Sequence, residues 1–454
     1  MKKSKMYLLL TLSGILIAGQ ALTQPQTSFS LREAQEYALK NNIQVKNAMI
    51  DVEIAKKKIW ETTAQGLPQV SASLDYTYMP TVPEMKFSTP YLINPATPTG
   101  LNADQIKLGY QQIPIELGVK SSATIKASVS QLVFNGSYIV GLQTARIFKN
   151  LSEQSLKSTE NNIRENVANS YCLILLAETN LKLLGQMKTN LDKTLNDMKS
   201  MLQEGFIENT DVDQFQYTVT TVGNTMQAIE RQLNVAKRLF NFQLGLPLDQ
   251  PVLLTDNLET IMNNTSVESL VNADFDLNNN ITYQLLKTQE QMMVSGLNLN
   301  KSAFLPSIVA FYTHQEKTAK ADFDFTFPDM IGLSLNVPVF SSGMRLSRVQ
   351  QARLQLEKTR NSNQMAIEGL KLDFEKTKMQ LQSAYDKFLN EKANMELAEK
   401  IYNKTLLKYK EGISTSMELT QANNQLLNAQ TNYFSALIDM LNAKHKLENL
   451  MNKQ

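Results

Sequence analysis

The sequence predicts a mainly α-helical chain that also carries four β-strands of membrane type, built as two copies of one unit. Three observations support this. Apolar residues recur with an unbroken 3-4 spacing over long stretches, the pattern of supercoiled helices. Four short segments instead alternate with a period of two. A turn reading EGFIENTDVDQF at 204–215 returns as EGISTSMELTQA at 411–422, 207 positions later.

Composition narrows the chemistry. The 454 residues carry 45 Lys plus Arg against 43 Asp plus Glu, a net charge of +2, which gives no case for nucleic acid. Two histidines far apart, His314 and His445, and the single Cys172 exclude the usual zinc patterns and an internal disulfide. Gly is sparse and forms no phosphate-cradling loop. No nucleophile stands with a base, so neither an enzyme nor a cofactor is expected. The length would fit two or three ordinary domains, but duplication predicts a single body made of two units.

Residues 1–21 are expected to be a secretory signal. Lys2, Lys3 and Lys5 precede the apolar run Tyr7–Ala18, and Gly19-Gln20-Ala21 resembles a cleavage site. The run is too short for a membrane anchor. With no Cys at that site, no lipid anchor is expected there. Elsewhere no apolar run could form a transmembrane helix, so entry into a membrane would have to be by strands.

The first unit is expected over 22–245. Ser30 and Glu33 form a capping-box signature, and a helical pattern follows to about Gln65, with Leu31, Ala34, Ala38, Val45, Ala48, Val52 and Ala55 apolar. Trp60, the sole Trp, is expected to pack. Gly66-Leu67-Pro68 then switches the period. In the strand 69–79, Val70, Ala72, Leu74, Tyr76 and Tyr78 alternate with Gln69, Ser71, Ser73, Asp75 and Thr77, the signature of a membrane-barrel strand. Pro80, Pro83, Pro90, Pro95, Pro98 and Pro114 mark a long exposed loop. The second strand, 121–134, sets Ala123, Ile125, Ala127 and Val129 against Thr124, Lys126, Ser128 and Ser130. After Asn135-Gly136 a helix runs from about Tyr138 to Glu204, a span of roughly 100 Å. It contains Cys172, expected in the core. Gly205 turns the chain, since Gly takes the left-handed backbone of a helix C-terminus without a Cβ penalty. The returning helix carries the seam Val212, Phe215, Val219, Val222, Met226, Ile229, Leu233, Ala236 and Phe240 and ends at Gly245-Leu246-Pro247.

Residues 246–278 read as irregular, with short apolar runs such as Val252–Leu254. The second unit, 279–454, repeats the first. Residues 279–308 align with 41–70 at an offset of 238, matching Ile281 to Ile43 and Leu305-Pro306 to Leu67-Pro68. Strands follow at 307–316 and 329–340. In the latter, Ile331, Leu333, Leu335, Val337 and Val339 alternate with Gly332, Ser334, Asn336 and Pro338. The offset falls from 238 to 207 because the first copy's strand-to-strand loop is longer by 31 residues. Ser342-Gly343 opens a second long helix with its own seam, Leu370 through Phe374, Leu381, Phe388, Tyr402 and Tyr409, that turns at Gly412. The last helix repeats Leu419, Ala422, Leu426, Ala429, Tyr433, Ala436, Met440, Ala443, Leu447 and Leu450 without a break. Leu427, Phe434, Leu437 and Leu441 give it a second contact face, so it suits a closed ring of helices as well as a simple pair.

Four strands cannot close a barrel, and an open sheet edge is not tolerated in lipid. Several chains would have to share one barrel, two supplying eight strands and three supplying twelve. The helices leave the same end of the strands in both copies. The expected assembly is a strand cylinder continuing into a helical cylinder roughly 100 Å long. A secreted periplasmic coiled-coil scaffold or adaptor without membrane strands stays open on the helical pattern alone. The duplicated strand pairs argue against it.

The order, duplication and spacing of these motifs resemble the TolC family of outer-membrane efflux proteins. The resemblance rests on Leu67-Pro68 before a strand, Phe134-Asn135-Gly136 and Val339-Phe340-Ser341-Ser342-Gly343 after one, the tips at Gly205 and Gly412, and Leu244-Gly245-Leu246-Pro247. It covers nearly all of the chain past the signal. It implies a homotrimer with a twelve-stranded barrel in outer-membrane lipid and an α-barrel in the periplasm. It also implies a passive exit duct that serves an inner-membrane pump, in efflux or type I secretion, through a periplasmic adaptor. Many members are lipoproteins, and this chain departs from them. Members close the periplasmic end with polar or acidic side chains about one turn past the tip Gly. The resemblance thus assigns gate positions to Glu418 and Gln421 and to their copies Asp211 and Gln214. It assigns adaptor docking to the tips at Gly205 and Gly412. A second physical reading of the two acids is that they favour a helix N-terminus. The transported substrate is not legible.

Overall fold

The computed structural model describes residues 27–93, 107–263, 267–321 and 324–453. The expected signal lies outside them, as do Pro95 and Pro98. The chain divides into two compact units, one formed by residues 47–158 and 276–372, the other by the remainder.

The first of these is the strand unit. Its main sheet contains β2 (Gln69–Tyr78), β5 (Ser121–Asn135), β7 (Ser307–Lys317) and β8 (Asp329–Asn336), in the order β2-β5-β7-β8 and antiparallel throughout. Register follows the alternation. Val70 pairs with Val129, Leu74 with Ile125 and Tyr76 with Ala123, so the apolar sets share one face. Ser71 and Ser128 share a 2.8 Å hydrogen bond on the other face. In the second pair Ile308 meets Leu335, Ala310 meets Leu333 and Tyr312 meets Ile331. A register shift between Leu132 and Phe134 brings β7 into line.

Two expectations about the strand region need correction. The 329–340 strand ends at Asn336, because Pro338 has no N–H to continue a ladder. The Pro-rich loop is largely a β-ribbon, β3 (Glu84–Ile93) paired with β4 (Lys107–Glu116). Pro90 and Pro114 lie within it, and a two-stranded ribbon offers outward positions on each strand where a missing N–H costs nothing.

Most of helix α2 (Ile43–Ala64), and α7 (Ile281–Ser302), feed this sheet. Trp60 on α2 is 64% exposed rather than packed. Asn135 caps the next helix, accepting from Tyr138 N–H at 3.0 Å. A Cβ on Gly136 would lie 2.5 Å from the tip of the Leu305 side chain, so a larger residue there would require that side chain to move.

The second unit is helical. It contains α1 (Leu31–Asn41), much of α3 (Gly136–Gln203), α4 (Asn209–Leu244), the later part of α8 (Met344–Lys410), and α9 (Ser416–Leu450). The Ser30–Glu33 capping box forms as expected. The helix predicted from Ser30 to Gln65 is broken at Asn42, whose side chain accepts from Gln44 N–H at 2.7 Å and restarts the helix. Asn280, its copy at the offset of 238, caps α7 the same way through Tyr283 N–H. Gly245 closes α4 at φ 76°, and a Cβ there would meet Asn41 O at 2.6 Å.

The predicted seams pack against α3 residues that no predicted seam included, Leu191 and Met198 among them, to form the core. Leu191, Met198, Val212, Phe215, Val222, Tyr402, Leu419 and Leu426 are buried in one cluster, and Phe434, Leu437 and Leu441 are buried on the second face of α9. Cys172 is buried, and that burial pushes its thiol up to about 12, as suits an inert core residue. Within 246–278 lie β6 (Val252–Leu254), α5 (Leu258–Asn263) and α6 (Val267–Val271), and a short 3-10 turn, Leu277–Asn279, crosses the end of that segment. β6 pairs in parallel with β1 (Thr27–Phe29). Buried Tyr171 fixes this segment by donating to Phe29 O and to the Asp256 carboxylate, both at 3.0 Å.

Candidate helical tips and membrane face

The two tips are built alike. Gly205 follows α3 at φ 77° and Gly412 follows α8 at φ 73°, with open space where a Cβ would stand. The left-handed backbone alone therefore requires Gly at both. The next residues complete the cap: Phe206 N–H reaches Met201 O at 2.9 Å, and Ile413 N–H reaches Lys408 O at 2.8 Å. Their side chains occupy matching positions and are 75% and 74% exposed. Sequence reading missed these two residues, although both stand directly after the tip Gly.

Glu418 is the third residue of α9 and closes a capping box with Thr415. Thr415 N–H donates to its carboxylate at 3.0 Å and the Ser414 hydroxyl donates as well. The Ser414 bond, then the Thr415 backbone, hold the Glu418 carboxyl below the usual range. Asp211 has two partners. Glu208 N–H donates to it at 3.3 Å, and the Ser416 hydroxyl of the second tip donates to it across the hairpins. Gln214 and Gln421 are exposed on their helices. The structure thus joins Asp211 to the other tip, while the hydrogen bonds of Glu418 stay within its own turn. Tyr409, the last seam residue before Gly412, lies close enough to Asp211 and Asp197 to sense both charges. Burial first, then those acids, push its phenol up. Ser416 and Tyr409 were not singled out for the tip by sequence.

The second feature is a lipid-type face on the strand unit. Val70, Leu74, Ile331 and Leu333 are exposed on one side of the sheet, Ile331 at 88%. On that side the β7–β8 ladder ends at the His314–Asp329 pair, 2.8 Å apart, while β2 and β5 continue past it with Leu74 and Ile125. Exposed aromatic residues mark both ends of the strands: Tyr76, Tyr78 and Phe327 toward the hairpins, Trp60, Phe304 and Phe340 toward the helices. Membrane barrels carry such girdles at both interfaces, and this places exposed Trp60 in a physical context. Among the described residues, no helix is long and apolar enough to cross a membrane.

Comparison with known proteins follows the same outline. The family described as outer membrane efflux protein matches residues 35–239 and 287–453. Outer membrane protein TolC of Salmonella enteritidis is 22% identical, over 98% of this chain and 86% of that protein. Among solved structures, the outer membrane protein VceC of Vibrio cholerae superposes with a TM-score of 0.69 at 14% identity, covering 93% of this chain and 95% of that one. The CmeC outer membrane channel of Campylobacter jejuni gives 0.69 at 13% identity, covering 93% and 85%. The open-state MtrE outer membrane channel of Neisseria gonorrhoeae gives 0.66 at 13%, covering 93% and 88%. At these identities the structures share the fold.

Proposed function

The chain belongs to the outer membrane efflux protein family, and from that premise we propose that three copies form the exit duct of an export system. Each chain contributes four strands to a twelve-stranded barrel in the outer membrane. Its long helices continue into the periplasm as an α-barrel. The duct is passive: an inner-membrane pump delivers the substrate through a periplasmic adaptor, in efflux or type I secretion.

One observation carries this reading. The four-stranded sheet has two open edges, β2 and β8, and an uncovered apolar face. Open edges are not tolerated in lipid, and placing β8 of one copy beside β2 of the next removes every edge at once.

The tips take the remaining roles. Glu418, Gln421, Asp211 and Gln214 line the gate at the periplasmic end. The turns at Gly205 and Gly412 present Phe206 and Ile413 to the adaptor, as exposed apolar anchors beside polar helix starts. Fractionation and export tests check the whole. The chain should pellet with the outer membrane, and deleting it should raise accumulation of the pump's substrate. A soluble periplasmic chain whose loss leaves export unchanged would overturn the reading.

A further inference from the structure

Among the described residues, the β3–β4 ribbon has no counterpart in the second copy, and it is amphipathic. On one face Met85, Phe87 and Tyr91 of β3 lie beside Ile113 and Ile115 of β4, interrupted by the Thr89–Gln111 pair. The opposite face carries Glu84, Lys86, Ser88, Gln112 and Glu116, with Pro114 opposite Lys86 and the Pro90–Tyr110 pair beyond Ser88. Met85, Phe87, Tyr91 and Ile113 are each 43–50% exposed. A lone two-stranded ribbon is marginal in water, and leaving its apolar face bare adds to that cost. The face therefore requires cover.

The register says which side of the sheet that face continues. The ribbon extends the β2–β5 pair, linked by Met79 N–H to Lys120 O at 2.8 Å and Leu117 N–H to Pro83 O at 2.9 Å. Tyr78 faces Ser121 and Glu84 faces Glu116, so one strand spends residues 79–83 where the other spends 117–120. That one-residue excess is a bulge, and it shifts the side-chain alternation on its own strand only. The lipid-type residues of β2 are even-numbered, Val70 to Tyr78, while the apolar residues of β3 are odd-numbered. On the strand without the excess, Ile113, Ile115, Ala123 and Ile125 are all odd-numbered. Both strands give the same answer: the apolar ribbon face continues the apolar face of the sheet.

From this we propose that the ribbon folds outward from the barrel rim and lies on the outer leaflet of the membrane, apolar face down. Ten residues of β2 at a tilt of about 40° already rise about 25 Å, the height of the apolar band of a membrane barrel. The ribbon thus starts at the outer rim. Bending outward turns the outer face of the wall toward the lipid. Bending inward over the mouth would turn the same face up into water. The ribbon behaves as the strand counterpart of an interfacial amphipathic helix, and it rests on the reading of β2 and β5 as membrane strands.

Spin-label accessibility in lipid nanodiscs tests this. Nitroxides are placed by Phe87→Cys, by Lys86→Cys on the opposite face, and by Leu74→Cys on β2 as reference. Native Cys172 stays, since it is buried and its thiol pKa is high. Collisions with oxygen report lipid, and collisions with a neutral nickel chelate report water. The oxygen-to-nickel ratio at Phe87 should match that at Leu74 and exceed that at Lys86 several-fold. Water-like values at Phe87 beside lipid-like values at Leu74 would overturn the ribbon inference alone. Exclusion of both reagents at Phe87, with dipolar broadening between copies, would show that a second copy covers the face, and would equally overturn it. Water-like values at Leu74 would remove the membrane strands themselves.

Discussion

The Ser416 hydroxyl of the second tip donates to the Asp211 carboxylate of the first. Ser416 is buried, so this bond ties the two hairpins at their tips, the end proposed above as the gate. Ser416→Ala should cost about 1.5–3 kcal/mol, the range for a hydrogen bond to a charged group. The expected readout is a higher resting conductance in planar bilayers with the trimer intact. Unchanged conductance would mean that the bond is structural only.

Glu418 should act at the same mouth. Three copies around one axis place like charges close together, where they favour cations. Glu418→Ala should alter resting conductance and weaken cation selectivity, and the double change with Asp211→Ala should do so further. If both match wild type in single-channel recordings, these acids only start helices.

The cap at Glu418 has a pH signature. Its carboxyl is held below the ordinary range, mainly by Ser414. A lowered folded-state pKa contributes stability above the unfolded value, and that stability is lost as pH falls through the folded value. Hydrogen-exchange protection of the first turn of α9 should therefore drop on acidification below the ordinary glutamate range. In Glu418→Gln it should be lower at neutral pH and flat across that window. Identical profiles would show that the carboxylate does not hold the cap.

The lipid face should be asymmetric to charge. Leu74→Arg should destabilise by about 2–4 kcal/mol if near the midplane, while Ser73→Arg on the opposite face folds and mainly changes conductance. Equal tolerance would reverse the face assignment. In the helices, Leu426→Asp buries a charge in the core cluster. It should prevent trimer formation on gels.

Much of this was legible because each signal has one physical cause. Lipid on one side forces alternation in β2, β5 and β8, and supercoiling forces the seams of α4, α8 and α9. β7 was harder to read. Its Phe311 lies opposite the lipid side, over Gly332, where a Cβ would stand 2.7 Å from the ring. Apolar residues on both sides blur its faces. The ribbon hid behind its prolines, whose cost vanishes at a free edge. The break at Asn42 was invisible to apolar periodicity, because one side chain restarts the helix without disturbing the stripe. At the tips, duplication exposed Asp211 and Glu418. The link from Asp211 to Ser416 and the closeness of Tyr409 depend on how hairpins pack, which no local pattern records.

The central claim is that several chains complete one barrel, and mass determination of the detergent-extracted protein by native mass spectrometry tests it most directly. Three chains per particle is the predicted result. A monomer would leave β2 and β8 as open edges in the membrane, and would contradict the account.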